Sequence, residues 1–246
     1  MEFVNFDKVY VIHCVENEKR YDNILFQMDN NKWLNDNLEI WWTCYQPHSD
    51  ILANAMIFSN KSRKILNGAE INLCREFYTI VKTSYYRNYN YICVFEDDFS
   101  LIKEKFFYDY LNAIPKDFDV IQLSYLFMND LNKTEYIYNH NELFFKPKYG
   151  FWSTCGICLS RKGMKYFIDI IDKEMLPADI PFFELKNDQT FLGKINQNNG
   201  LNNYITNIPI IFVSNDDTEI QTNNKDVNTI YSHYKFLDKT LYNVFE

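Results

Sequence analysis

Glycine is scarce in this chain, six residues in 246, and neither a GxGxxG turn nor a P-loop is present, so the two commonest glycine-built phosphate cradles are excluded. Positive charge is short as well. With a formal net charge of −8 and a pI near 5.1, the chain lacks the basic surface that displaces counterions from a nucleic-acid backbone. No apolar run approaches membrane-spanning length, and Met1-Glu-Phe-Val-Asn-Phe-Asp-Lys8 has no basic segment leading into an apolar one. The expectation is a soluble, cytoplasmic protein without a transmembrane segment. Internal repeats and low-complexity linkers are also missing, so residues 1–246 read as one domain.

What is abundant is aromatic: 21 Phe and 19 Tyr within a composition that is 47% hydrophobic, enough for a sizeable core with a sheet-rich interior. The six cysteines sit mostly in apolar segments and read as small buried hydrophobes. Cys155-Gly-Ile-Cys158 has metal or redox spacing, but no second pair accompanies it to make four zinc ligands.

Apolar runs and helical periodicities alternate along the chain. Lys8–Cys14 reads as a buried strand, followed by a helix opening at Glu16 with Ile24, Leu25 and Met28 on one side. Leu38–Tyr45 reads as a second strand and 49–67 as a partly helical excursion. Ala69–Tyr86 has helical spacing, ended by Asn88-Tyr-Asn90. Further strands are expected at Tyr91–Phe95, Phe118–Ser124, Phe151–Ser160 and Ile208–Ser214, with helices at Lys103–Ala113 and Arg161–Ile171. Tyr125–Lys148 reads as a loop or hairpin over a cleft, and the second part of Ile180–Phe191 as helix. This order of elements predicts an α/β fold.

The segment Tyr91-Ile-Cys-Val-Phe-Glu-Asp-Asp-Phe-Ser100 organises the rest. Five mostly apolar residues run into Glu96, Asp97 and Asp98, which puts an acidic cluster at the carboxyl end of a buried strand, where open α/β sheets bind ligands. Carboxylates there suit Mg²⁺ or Mn²⁺ carrying a diphosphate. The plainer use of such residues is to cap a helix or form a turn. His13, Cys14 and Glu16, after the first strand, fall near the base and ribose of a nucleotide in the same scheme, with Arg20 a candidate for phosphate.

Taken in order, these pieces resemble glycosyltransferase family 25, the lipooligosaccharide and collagen galactosyltransferases. The resemblance rests on Val9–Ile12 with Lys19-Arg20, Gly68-Ala-Glu-Ile71, Val94-Phe-Glu-Asp-Asp98, Ser153–Met164 with its Ser160-Arg-Lys-Gly163, and Met175-Leu-Pro-Ala-Asp179. A Ser-His pair usual in the helix before the acidic strand is replaced near Glu76-Phe77.

The resemblance implies a GT-A-like, Rossmann-type mixed sheet flanked by helices, and an inverting hexosyltransferase. Such an enzyme would use a UDP-sugar donor, Mn²⁺ or Mg²⁺, and a glycan or protein acceptor, as in lipopolysaccharide biosynthesis. Asp98 with Glu96 or Asp97 would hold the metal, with His233 as a further ligand. Glu96 and Asp97 would also reach the ribose. Asp179 is the first choice for general base, with Asp188 and Glu184 as alternates. Two other classes compete: an inactive nucleotide-sugar or glycan binder on the same fold, and a metal-dependent phosphate-ester hydrolase.

Overall fold

In the computed structural model the described residues are 4–44, 68–124, 137–139, 143–147, 155–174, 183–187, 190–195, 200–207 and 209–213. Strand β1 (Lys8–Cys14) is central to the first half: it pairs in parallel with β2 (Leu38–Thr43) on one side and β3 (Tyr91–Glu96) on the other. Between β1 and β2 lie helices α1 (Glu18–Asp29) and α2 (Lys32–Asn37). Each is opened by an asparagine whose side chain accepts an N–H of the first turn: Asn17 from Arg20, Asn31 from Leu34.

Helix α3 (Gly68–Tyr86) leads into β3 and stops where Asn88 takes a left-handed φ of 61°, a conformation asparagine tolerates. After β3 come the short strand β4 (Phe99–Leu101), helix α4 (Glu104–Ala113), which ends before Pro115, and β5 (Val120–Gln122). The hairpin β6 (Ile137–Asn139) and β7 (Phe144–Pro147) follows, then β8 (Gly156–Ser160) and α5 (Arg161–Glu174). The last strands are β9 (Phe183–Asn187), β10 (Thr190–Ile195), β11 (Asn203–Thr206) and β12 (Ile211–Val213).

Eight strands form one mixed sheet in the order β2-β1-β3-β8-β5-β11-β7-β6. β8 runs antiparallel to both its neighbours, β3 and β5, and β7 antiparallel to β11. The fold is thus α/β with a mixed sheet, as expected, and β3 lies in its interior. Of the loop or hairpin expected over a cleft at Tyr125–Lys148, the described residues form the β6–β7 hairpin, which adds strands to one edge of this sheet.

Side chains alternate across the sheet and build two cores. Tyr10, Ile12, Ile92, Val94, Ile157 and Leu159 meet Phe77, Ile80 and Val81 of α3 and Met164, Phe167 and Ile171 of α5. On the other face Val9, Val11, Cys93, Phe95 and Cys158 meet Ile24 of α1, Leu34 of α2 and Phe107 and Tyr110 of α4. Each fully buried side chain of this kind is worth roughly 1.5–3 kcal/mol of transfer free energy, so the strand–helix sandwich rather than helix propensity holds these elements.

Three expectations are corrected. Leu25 is 40% exposed and does not join Ile24 on the buried side of α1. The second part of Ile180–Phe191 is strand, β9 pairing antiparallel with β10; the alternation Phe183-Glu-Leu-Lys has period two. Among its described residues, Ile208–Ser214 supplies the short β12, which pairs with β4 outside the main sheet, while β11 just before it enters the sheet. The excursion at 49–67 lies outside the described residues.

Candidate active site

Parallel pairing of β1 with β3 places Ile12 opposite Glu96, so the last residues of β1, His13–Cys14, and the two that follow β3, Asp97–Asp98, stand side by side at the carboxyl edge of the sheet. Asp97 and Asp98 are both buried there. Such carboxylates need partners, and Asp97 has a full set. Its Oδ2 accepts from Nδ1 of His13 at 2.9 Å and from the Cys14 amide at 3.2 Å, and its Oδ1 accepts from Nη1 of Arg20 at 2.5 Å.

Burial alone would raise the Asp97 pKa, but the His13 hydrogen bond, the Arg20 charge and bond, and the Cys14 amide together carry it below the usual carboxylate value. With Asp97 ionised, His13 must carry its proton on Nδ1 to donate. Arg20 reaches this position because Asn17 caps α1 and fixes its first turn.

Asp98 is in a different state. Arg20 Nη2 stands 3.6 Å from its Oδ2, and the Cys155 thiol, at the start of β8, donates to Oδ1 at 3.8 Å. Burial, with the Asp97 charge adding to it and Arg20 opposing, pushes its pKa up to about 6. Two adjacent carboxylates are therefore driven apart: Asp97 is held ionised, and Asp98 lacks enough positive charge for its burial. Glu96 closes β3, half-buried, its amide donating to the Cys155 carbonyl at 3.2 Å.

Of the residues expected at the site, His13, Cys14, Arg20, Glu96, Asp97 and Asp98 lie together. Glu16 joins them through the Cys14 thiol, which donates to its Oε2 at 2.9 Å. Glu184 is on β9, whose ribbon with β10 is not part of the main sheet. Asp179, Asp188 and His233 lie outside the described residues. Among the described residues no group of three or more His, Cys, Asp or Glu side chains is arranged to hold a metal ion.

Two neighbours were missed from sequence. Tyr21 stacks on His13 with ring centroids 5.6 Å apart, and Trp42 meets both, 5.2 Å from His13 and 5.3 Å from Tyr21. The signal for Trp42 was its place next to the end of a strand neighbouring β1. Cys155 was read as structural; its thiol is buried and pushed well up by that burial and by the carboxylates beside it. Cys158 does pack as a core residue, against Cys93 with sulfurs 3.1 Å apart.

The segment Ser160-Arg-Lys-Gly163 stands at the opposite edge of the sheet and is structural. Ser160 Oγ accepts from the Gly163 amide at 3.2 Å to open α5 and donates to Asp119 at 3.0 Å. Arg161 holds the end of α3 through the Tyr85 carbonyl at 2.9 Å and Asn88 at 3.0 Å. A Cβ on Gly163 would collide with the Asp119 carbonyl. At the replaced Ser-His position, Phe77 is core and Glu76 accepts from the Trp41 indole at 3.0 Å.

A family model described as glycosyltransferase family 25 (LPS biosynthesis protein) matches residues 7–181. The chain belongs to glycosyltransferase family 25. The matched stretch contains β1, β3 and the whole Asp97 and Asp98 cluster, so this family 25 chain is a glycosyltransferase whose buried carboxylates lie within its family region. Comparison with curated proteins finds none that matches. No helix among the described residues is long and apolar enough to cross a membrane.

Proposed function

We propose that this glycosyltransferase moves a hexose, galactose or glucose, from a UDP-sugar to a hydroxyl of a glycan or protein, with inversion and with the help of Mn²⁺ or Mg²⁺. The observation that carries the reading is Asp98, a buried carboxylate short of positive charge beside a fully engaged Asp97 at the carboxyl end of an interior strand. The family's description as LPS biosynthesis favours a glycan acceptor.

The donor set fits a divalent ion that arrives with a diphosphate. Asp98 and Glu96 would hold it, since hard oxygen ligands suit Mg²⁺ and Mn²⁺, and such ions take one or two carboxylates and complete their shell with phosphate and water. Asp97, with both oxygens engaged, has little left to offer a metal and instead positions Arg20 and His13. His233 is the candidate for a further ligand. When bound, the cation neutralises charge on the departing diphosphate.

In the transfer the acceptor oxygen bonds to the anomeric carbon as the bond to the diphosphate breaks, the electron pair leaving with UDP. The acceptor's proton passes to a carboxylate, for which Asp179 is the first candidate and Asp188 and Glu184 the alternates. One base and direct displacement suit inversion.

The test is release of UDP from UDP-galactose and UDP-glucose with Mn²⁺, with and without acceptor. Slow release without acceptor, abolished by EDTA, is the expected result. Binding of UDP-sugars with no release under any of these conditions would overturn the proposal.

A further inference from the structure

Exposed aromatic rings are ordinary when single and scattered. Trp42 differs from Phe26 and Tyr86, which are also exposed, in where it stands and what braces it. It is 52% exposed, yet it is the register partner of His13 across β1 and β2. Its ring meets His13 edge-on and lies against Tyr21 of α1. His13 in turn is fixed by Asp97. The loop leaving β1 is tied to the same strand end, the Val15 amide donating to the Thr43 carbonyl at 2.9 Å. A large ring is thus presented to solvent on a rigid mount, joined through one histidine to the carboxylate cluster.

The distances suit one class of ligand. β2 and β3 are separated by β1 alone, so Trp42 stands two strand spacings, roughly 10 Å, from the end of β3. A nucleoside diphosphate with its phosphates at Glu96 and Asp98 would extend its ribose past His13 and Cys14 and bring its base to β2. Stacking on an aromatic face needs no donor–acceptor code, and an aromatic held by neighbours loses little entropy when a base lands on it. We propose that Trp42 is the stacking platform for the pyrimidine base of the donor nucleotide, an inference that rests on reading the carboxylate cluster as a nucleotide-sugar site. Tyr21 and His13 are its positioning residues.

The experiment compares the parent with Trp42→Leu, which keeps apolar bulk against His13 and Tyr21 but has no π face, and Trp42→Phe, which restores a ring. Binding of UDP and of inorganic pyrophosphate, the base-free control, is measured by calorimetry on the full chain with Mg²⁺. Trp42→Leu is expected to weaken UDP about 5- to 150-fold while pyrophosphate binds as in the parent, and Trp42→Phe to recover most of the loss. Unchanged UDP affinity in Trp42→Leu overturns the platform and leaves the glycosyltransferase proposal standing. So does unchanged UDP affinity with a raised KM for the acceptor, which would make Trp42 a sugar platform. Equal loss of UDP and pyrophosphate would reassign Trp42 to the structure of the site. Failure of the parent to bind UDP or pyrophosphate overturns the nucleotide reading and the platform with it.

Discussion

Replacing Asp97 with Asn keeps the shape of the side chain and removes one charge from the centre of the site. The carboxylate accepts from three groups, the His13 ring, the Cys14 amide and Arg20. An amide has one acceptor oxygen and turns two donors toward whichever partners it cannot accept from. Arg20, whose side chain is 14% exposed, would lose its close charged partner and keep the looser pairing with Asp98, 3.6 Å away. Removing one member of a buried ion pair costs about 3–5 kcal/mol, and the residual Asp98 contact argues for the lower end. For a chain of this size about 3 kcal/mol lowers the melting midpoint by roughly 6–12 °C. The assay is a thermal melt of parent and Asp97→Asn, with Asp169→Asn as comparison. The Asp169 ion pair with Lys165 is half-exposed on both sides and should barely move the midpoint. An Asp97→Asn midpoint within about 2 °C of the parent would refute the argument, since it implies under about 1 kcal/mol at a site assigned a buried pair.

Asp98→Asn should behave oppositely: its fold should hold, because burial and Asp97 already disfavour the Asp98 charge, while cation-dependent UDP-sugar binding disappears. Calorimetry showing equal UDP-sugar affinity in mutant and parent would sink the metal assignment. Gly163→Ala should destabilise by about 1–3 kcal/mol, the usual cost of overpacking, because the new Cβ meets backbone at Asp119; a denaturant midpoint equal to the parent's would contradict that contact. Asp179→Asn should retain donor binding and lower turnover roughly 10²- to 10⁴-fold if it is the base. A silent Asp179→Asn with an inactive Asp188→Asn would move the role to Asp188.

Much of the architecture was legible because burial writes itself into local pattern. β1 and β3 announce themselves as short apolar runs, and α3, α4 and α5 as apolar stripes at helical spacing. β4, β11 and α2 escaped notice because three, four and six residues carry too little periodicity. At the site, the position of the carboxylates was readable but their states were not. Asp97 and Asp98 are neighbours of the same chemistry, and what separates them is His13 and Arg20, 84 and 77 positions from Asp97 and brought to it by the pairing of β1 with β3. Tyr21 and Trp42 were missed for the same reason: an aromatic cluster assembled from a strand, a helix and a second strand has no linear signature.

The reversed direction of β8 makes that strand a ruler between the two edges of the sheet. Its far end is clamped by Ser160, Asp119 and Lys162, and its near end delivers the Cys155 thiol to Asp98. A paired strand can neither stretch nor slip by one residue without turning every side chain to the other face. The distance from clamp to carboxylate is therefore set by counting residues, and a single insertion between Cys155 and Ser160 would withdraw the thiol from Asp98 without touching any charged group of the site. Tolerance to change in this family 25 chain should accordingly be lowest in β8, whose five strand residues, Gly156–Ser160, include no charged side chain.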